Sequence, residues 1–293
     1  MPSVLIAGCG YLGAATADLF CEKEWEVEGW TASADSSAAL SMKPYLISAV
    51  DIGSREAVTA AAKDFDTVIH CASSRGGDEQ VYRQIYLRGA QNLALAFPQA
   101  RLVFTSSTSV YPQTDGAWVT ELSPAEASLP TSKVLRETEE FILGHGGIVT
   151  RLAGIYGPGR SALLRKFLTG TATIDPGPER FLNQIHRDDV ASALFFLAQR
   201  ALAKAGRTFD PRAIYNVSDN HPRTQRACYE WLASISHRPV PPVGSMPAPR
   251  RRGNSNKQVS SEKLKSLGWK CRYPTFEEAM RESILPDFER PGT

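Results

Sequence analysis

Val4-Leu5-Ile6-Ala7-Gly8-Cys9-Gly10-Tyr11-Leu12-Gly13 is the stretch from which the fold is read. A short apolar run passes into a G-x-G-x-x-G pattern, and a helical pattern follows at once from Ala14 to Lys23. Placed between a strand and a helix, this pattern is the fingerprint of a dinucleotide-binding turn. Gly8 permits the tight turn, Gly10 lets backbone approach a pyrophosphate, and Gly13 lets the helix pack close to the strand. The helix N-terminus adds free N–H groups and the positive end of its dipole. The plainer alternative is a glycine turn without a ligand; the position and the flanking elements favour the nucleotide. Cys9, inside the loop, reads as a small packing residue rather than a reactive thiol.

Outward from this loop, apolar strand-like runs alternate with helical patterns. The strands are expected at Val4–Ala7, Glu26–Trp30, Leu46–Ala49, Thr67–Cys71, Arg101–Thr105 and Ile148–Leu152. The helices between them are expected at Ala14–Lys23, Arg55–Lys63, Glu79–Ala96 and Ser132–Leu143. Such alternation predicts an α/β fold, a doubly wound parallel sheet with helices on both faces. Ligands then bind beyond the carboxyl ends of the strands. The segments there are Gly8–Gly13, Thr31–Ser33, Asp51-Ile52, Cys71–Arg75, Ser106–Tyr111 and Gly154–Arg160. After Gly157 the pattern turns irregular. Asp188 and Asp189 are read as caps of a helix reaching Gln199. A strand at Ile214–Val217, a helix from Thr224 to Ser236 and a Pro-rich loop at His237–Pro249 follow. The tail is read as a short helix at Ser261–Leu267 and a last one near Phe276–Leu285.

The 293 residues suffice for one large core or two domains. Composition is that of an ordinary soluble globular protein, and a net charge of +2 gives no argument for a nucleic-acid partner. Arg250-Arg251-Arg252 reads as a solvated loop or an anion contact. No apolar run approaches the ~20 residues of a membrane span, and the start lacks a signal-peptide pattern. The five cysteines are scattered, with no C-x-x-C pair. They are read as reduced thiols of a cytoplasmic protein, forming neither a disulfide frame nor a metal site.

Several segments together resemble the extended short-chain dehydrogenase/reductase family, which includes nucleotide-sugar epimerases and dehydratases. They are the glycine loop, Asp51-Ile52, His70-Cys71-Ala72-Ser73, Thr105–Tyr111, Arg151–Arg160, Ile185–Ala191 and Tyr215-Asn216-Val217. The glycine loop, the Arg151–Arg160 run and the tail Leu267-Gly268-Trp269 with Tyr273-Pro274 look most like its atypical YeeZ-like subgroup. The resemblance implies a Rossmann-type domain over residues 1–158, to which 186–219 return. Residues 159–185 and 220–293 then form a smaller, irregular substrate-binding part. It also implies a homodimer paired through helices Glu79–Ala96 and Ser132–Leu143, with Leu87, Leu95 and Phe141 as contacts, and a small-molecule substrate.

Members of that family use a Ser/Thr, a Tyr and a Lys in Y-x-x-x-K to move a hydride and a proton. By resemblance, Ser107 is the serine and Lys133 the lysine. The tyrosine position is Leu129, which cannot transfer a proton. Tyr86 is the first candidate for a relocated phenol, against the plainer reading that it packs on the core face of its helix. Tyr111 and Tyr156 are weaker candidates. Expected cofactor contacts are Gly8, Gly10, Tyr11, Leu12, Gly13, Thr31, Ser33, Asp51, Ile52, Cys71, Ala72, Ser73 and Lys133. Asp51 resembles the family's adenine-contacting aspartate and is also read as a helix cap beside Ser54. The cofactor is NADP or NAD, with a lean to NADP because no acid follows Trp30 at Thr31–Ser33. Arg75, Tyr156, Arg160 and His186 are expected on the substrate side, with Arg180 and the Asn256-Lys257 pair as weaker anion contacts.

Overall fold

The computed structural model describes residues 1–126, 129–203, 210, 213–245 and 255–288. The Arg250–Arg252 cluster and the end of the Pro-rich loop lie outside the described residues. The strands β1 (Ser3–Ala7), β2 (Glu26–Thr31), β3 (Leu46–Ala49), β4 (Thr67–His70), β5 (Arg101–Ser107), β6 (Ile148–Leu152) and β7 (Ile214–Val217) form one parallel sheet. Its order is β7-β6-β5-β4-β1-β2-β3. The chain winds outward from β1 to β3, then returns to the other side of β1 and winds outward again. The direction reverses between β1 and β4, where such sheets open a crevice.

Strand residues alternate between two buried faces, as a sheet covered on both sides requires. Val4, Ile6, Val27, Ile69 and Val103 pack under helices α1 (Tyr11–Glu22) and, far later in the chain, α5 (Arg187–Leu202). Leu5, Ala7, Trp30, Val68, Leu102 and Phe104 face the other helices. These are α2 (Arg55–Ala61), α3 (Glu79–Tyr82, Arg83–Arg88 and Gly89–Ala96 in one run) and α4 (Pro130–Gly144). A third apolar cluster joins Leu164 and Phe167 to helix α6 (Gln225–Ser236) and to Phe276, Met280 and Ile284 of the tail. The tail also returns to the sheet cores: Val259 packs in the second cluster, Leu264 and Trp269 in the first.

The middle of α3, Arg83–Arg88, is π-helical. Fully buried His70, ending β4, explains it. Its Nε2 donates to the carbonyls of Ile85 and Tyr86 at 3.1 and 3.3 Å, oxygens that a widened turn frees. Gly89 completes the fit, because a Cβ there would lie 2.8 Å from Ile52 Cδ1.

An ion pair is buried where β5, β6 and α4 meet. Arg151 donates through Nε and Nη2 to the two oxygens of Glu139, at 3.0 and 2.7 Å. Arg136 also reaches Glu139, and Ser106 Oγ donates to it at 2.6 Å. Arg151 Nη1 donates to the Tyr111 hydroxyl at 2.9 Å, which donates to Asn216 Oδ1 at 2.8 Å. Glu121 accepts the Asn216 N–H at 2.7 Å. Every strong partner is thus satisfied, the condition under which a buried pair is tolerated. Removing one partner strands the other charge in the core. We expect Glu139→Gln and Arg151→Met each to lose about 3–5 kcal/mol in urea unfolding. Combining them should recover a large part of that loss. Single variants within about 1 kcal/mol of the parent would contradict this role.

Candidate functional site

The glycine loop lies at the switch point. Gly8 has φ +103°, and a Cβ on it would lie 2.2 Å from Ala72 N in the turn after β4. A Cβ on Gly13 would lie 2.2 Å from the Gly8 carbonyl oxygen. Both glycines are therefore demanded by backbone packed against backbone. Gly10 differs: a Cβ there would meet nothing within 4 Å. It opens α1, whose N-terminus carries no side-chain cap. An uncapped helix end beside free space is a cradle for an anionic group. Tyr11 extends the wall, its hydroxyl donating to the Pro158 carbonyl at 3.0 Å. The guanidinium groups of Arg160 and Arg187 stand 5.2 and 5.0 Å from its ring centre. Leu12 is buried beneath the loop, as is Cys9, which packs over Gly29 and whose thiol burial pushes up to about 12.

On the β2–β3 side, Thr31 Oγ1 donates to the Ser33 carbonyl at 3.1 Å, and Ser33 caps the short helix Ala34–Ala38. Asp51 is exposed and accepts the Gly53 N–H at 2.9 Å. It does not cap α2; Ser54 does, accepting the Ala57 N–H. Ile52 is buried, its carbonyl held by Asn92 at 2.9 Å.

The loop after β4 carries Cys71, Ala72, Ser73 and Arg75. Cys71 is buried and its N–H donates to the Ala7 carbonyl at 2.8 Å. Ser73 Oγ accepts the Arg75 N–H at 3.3 Å, and Arg75 is exposed with φ +52°. Tyr86 is buried among Tyr82, His70 and Phe104. Its hydroxyl accepts the Ser74 N–H at 3.3 Å, so it combines core packing with a polar tip on this loop.

Ser107 ends β5, half-buried, and accepts the Ser109 N–H at 3.1 Å. Lys133 lies exposed in the first turn of α4, four residues after Leu129, the N-cap residue, which offers no side-chain cap. Among the described residues, its ammonium has neither a hydrogen bond nor an ion pair. Tyr111, by contrast, is fully buried and fully bonded in the Glu139–Arg151 network.

Tyr156 is buried, its hydroxyl without a hydrogen-bond partner, and it stands edge-on to His186. His186, not an aspartate, caps α5: its Nδ1 accepts the Asp188 N–H at 3.2 Å. Its Nε2 therefore carries the proton and donates to Ser283 Oγ at 3.1 Å. Burial pulls its pKa down to about 4. Asp189 turns instead to the tail and accepts the N–H groups of Arg272 and Tyr273 at 2.6 and 3.1 Å. Burial pushes it up to about 6, and its neighbour Asp219, bonded to the His221 N–H, up to about 7. Among the described residues, no group of three or more His, Cys, Asp or Glu is arranged to hold a metal ion.

Sequence reasoning missed Glu139, Asn216, Asp189 and Asp219 as the polar groups that lock this edge. One signal was available for Glu139. It shares the buried face of α4 with Val134, Leu135, Thr138 and Ile142, where an unpaired acid would be costly.

A profile described as the NAD dependent epimerase/dehydratase family matches residues 4–217. Protein YeeZ of Escherichia coli strain K12 is 32% identical over 255 residues, covering 80% of this chain and 84% of YeeZ. UDP-glucose 4-epimerase of Thermus thermophilus, solved with NAD, shares 22% identity at a TM-score of 0.78, covering 99% of this chain and 100% of that one. The dTDP-glucose 4,6-dehydratase of Bacillus anthracis str. Ames, also with NAD, shares 18% identity at a TM-score of 0.80, covering 99% and 97%. The two solved structures match this chain in fold.

The buried acids give the site a pH signature. Asp219 has a folded pKa raised above its usual 3.8, so the folded chain binds more protons than the unfolded chain between about pH 4 and 7. Its contribution to stability therefore falls as pH rises through that window. We expect Asp219→Asn, which keeps the acceptor for His221, to flatten the decline of melting temperature across that window. A decline identical to the parent's would contradict the assignment.

Proposed function

The chain belongs to the NAD dependent epimerase/dehydratase family, and on that premise we propose an NAD(P)-dependent oxidoreductase or epimerase-like enzyme. Its substrate is a small hydroxylated or carbonyl compound. The observation that carries this reading is the free space at Gly10 beside the uncapped start of α1, between two glycines walled in by backbone. A pyrophosphate at that helix start would account for the combination. The backbone of Gly8, Gly10, Tyr11, Leu12 and Gly13 would hold the phosphates. Thr31 and Ser33 would meet one ribose, Asp51 and Ile52 the adenine, and Cys71, Ala72 and Ser73 the opposite wall. When bound, the nicotinamide supplies or accepts the hydride.

The chain's own groups handle orientation and the proton. Ser107 Oγ would bond the substrate oxygen, and Lys133 would hold the nicotinamide ribose. The exposed Arg75 and Arg160 serve the substrate side, with buried Tyr156 and His186 supporting that wall. NADP is favoured over NAD because no acid at Thr31–Ser33 repels a 2′-phosphate. The five unpaired cysteines suit a reducing cytoplasm, and no helix among the described residues is long and apolar enough to cross a membrane. A homodimer through α3 and α4 would cover Leu95, which is 55% exposed, together with Leu87 and Phe141.

Leu129 supports a second reading, a dinucleotide-binding sensor without turnover. The two readings separate on the proton donor. Tyr86 remains the first candidate: its oxygen accepts the Ser74 N–H, which leaves its proton free to be donated.

Three outcomes are expected. Gly10→Val should keep the parent melting temperature, since a Cβ meets nothing, yet lose NADPH affinity in calorimetry; equal affinity would remove the loop from the site. Tyr86→Phe should bind NADPH normally and lose about 10²–10⁴-fold in rate on an identified substrate, and full activity would exclude the relocated phenol. Light scattering at micromolar concentration should report a dimer; a monomer would remove the paired helices.

A further inference from the structure

Asn256 ties together three segments that are distant in sequence. Its side-chain oxygen accepts the Phe181 N–H at 3.0 Å, its N–H donates to the Gln113 carbonyl at 2.8 Å, and its carbonyl accepts the Gly116 N–H at 3.0 Å. Each segment carries a buried polar group beside that junction whose hydrogen-bonding capacity is not filled. Arg180 Nη1 and Gln113 Oε1 are both buried without a hydrogen-bond partner. Lys257 is only 6% exposed, and its ammonium donates to a single acceptor, Ser255 Oγ, at 2.9 Å.

An ammonium has three donors and is rarely buried unless it is paired. Among the described residues, no carboxylate stands within ion-pair distance of Lys257. Burial pulls its pKa down to about 8, the mark of a cation without a counter-charge. The junction also joins segments that follow the carboxyl ends of β5 and β6. Gln113 follows the turn opened by Ser107, and Asn183, just ahead of Gln184–His186, donates to the Lys257 carbonyl at 2.8 Å.

We propose that Lys257 and Arg180 form an oxyanion subsite and that Gln113 Oε1 accepts a hydroxyl from the same ligand. Two cations call for a carboxylate or a phosphate, and an acceptor on a segment tied to theirs calls for an O–H on the same ligand. The ligand class is therefore a small hydroxylated oxyanion, a hydroxy acid or a polyol phosphate. This rests on the reading of the crevice as the substrate site and narrows its substrate.

Calorimetry with glycolate, glycerol 3-phosphate and uncharged glycerol tests the subsite, with NADPH titrated into the same proteins. One of the two anions, which tell carboxylate from phosphate, should bind the parent at least about tenfold more tightly than glycerol. Lys257→Met should lose about tenfold or more of that affinity and keep its NADPH affinity. Removing an unpaired buried charge should leave the fold intact; Arg180→Gln, expected to lose the same affinity, is the second variant. Anion binding that is absent, or equal in the parent and both variants, overturns the subsite. NADPH binding alongside that result leaves the nucleotide reading standing. Lys257-dependent anion binding without NADPH binding does the reverse.

Discussion

At the switch point of the sheet, backbone meets backbone with no room for a Cβ. Gly8 lies against Ala72, and Gly13 lies against the Gly8 carbonyl. This contact sets how close α1 comes to β1 and how far the turn after β4 can lean over it. Everything at the edge inherits its position from it: Tyr11 bridging to Pro158, the Ser74 loop above Tyr86, and the open space at Gly10. Two glycines close the structure and one leaves it open.

The second organising element is polar. The Glu139–Arg151 pair, with Ser106, Tyr111 and Asn216, pins α4 across β5, β6 and β7. Such a network gains little stability over well-packed apolar residues, but it is intolerant of displacement because every member is bonded. It therefore holds the end of β5 and the start of α4, which carry Ser107 and Lys133, in fixed relation. Lys133, which has neither a hydrogen bond nor an ion pair among the described residues, and Lys257, which is bonded only to Ser255, sit outside it.

Much of this was readable from local pattern. All seven sheet strands follow from apolar runs, and the α3 segment from its helical spacing, because burial on one face or two leaves a period in the chain. The same holds for Gly8 and Gly13, where motif spacing encodes a steric need. What escaped depends on partners far along the chain. The π turn in α3 needs His70, and the true cap of α5 is His186. Asp189 answers N–H groups on the distant tail, at Arg272 and Tyr273, and Asp51 yields the cap of α2 to Ser54. A hydrogen-bond partner at long range leaves no period to read.

On the proposed reading a nucleotide binds at this edge, and the chemistry turns on which hydroxyl stands beside it. A crystal structure of the protein soaked with NADPH measures both at once. The pyrophosphate should lie over Gly10 at the start of α1, with the nicotinamide between Ser107 and Lys133. A pyrophosphate bound elsewhere, or a crevice left empty at saturating NADPH, would contradict the account.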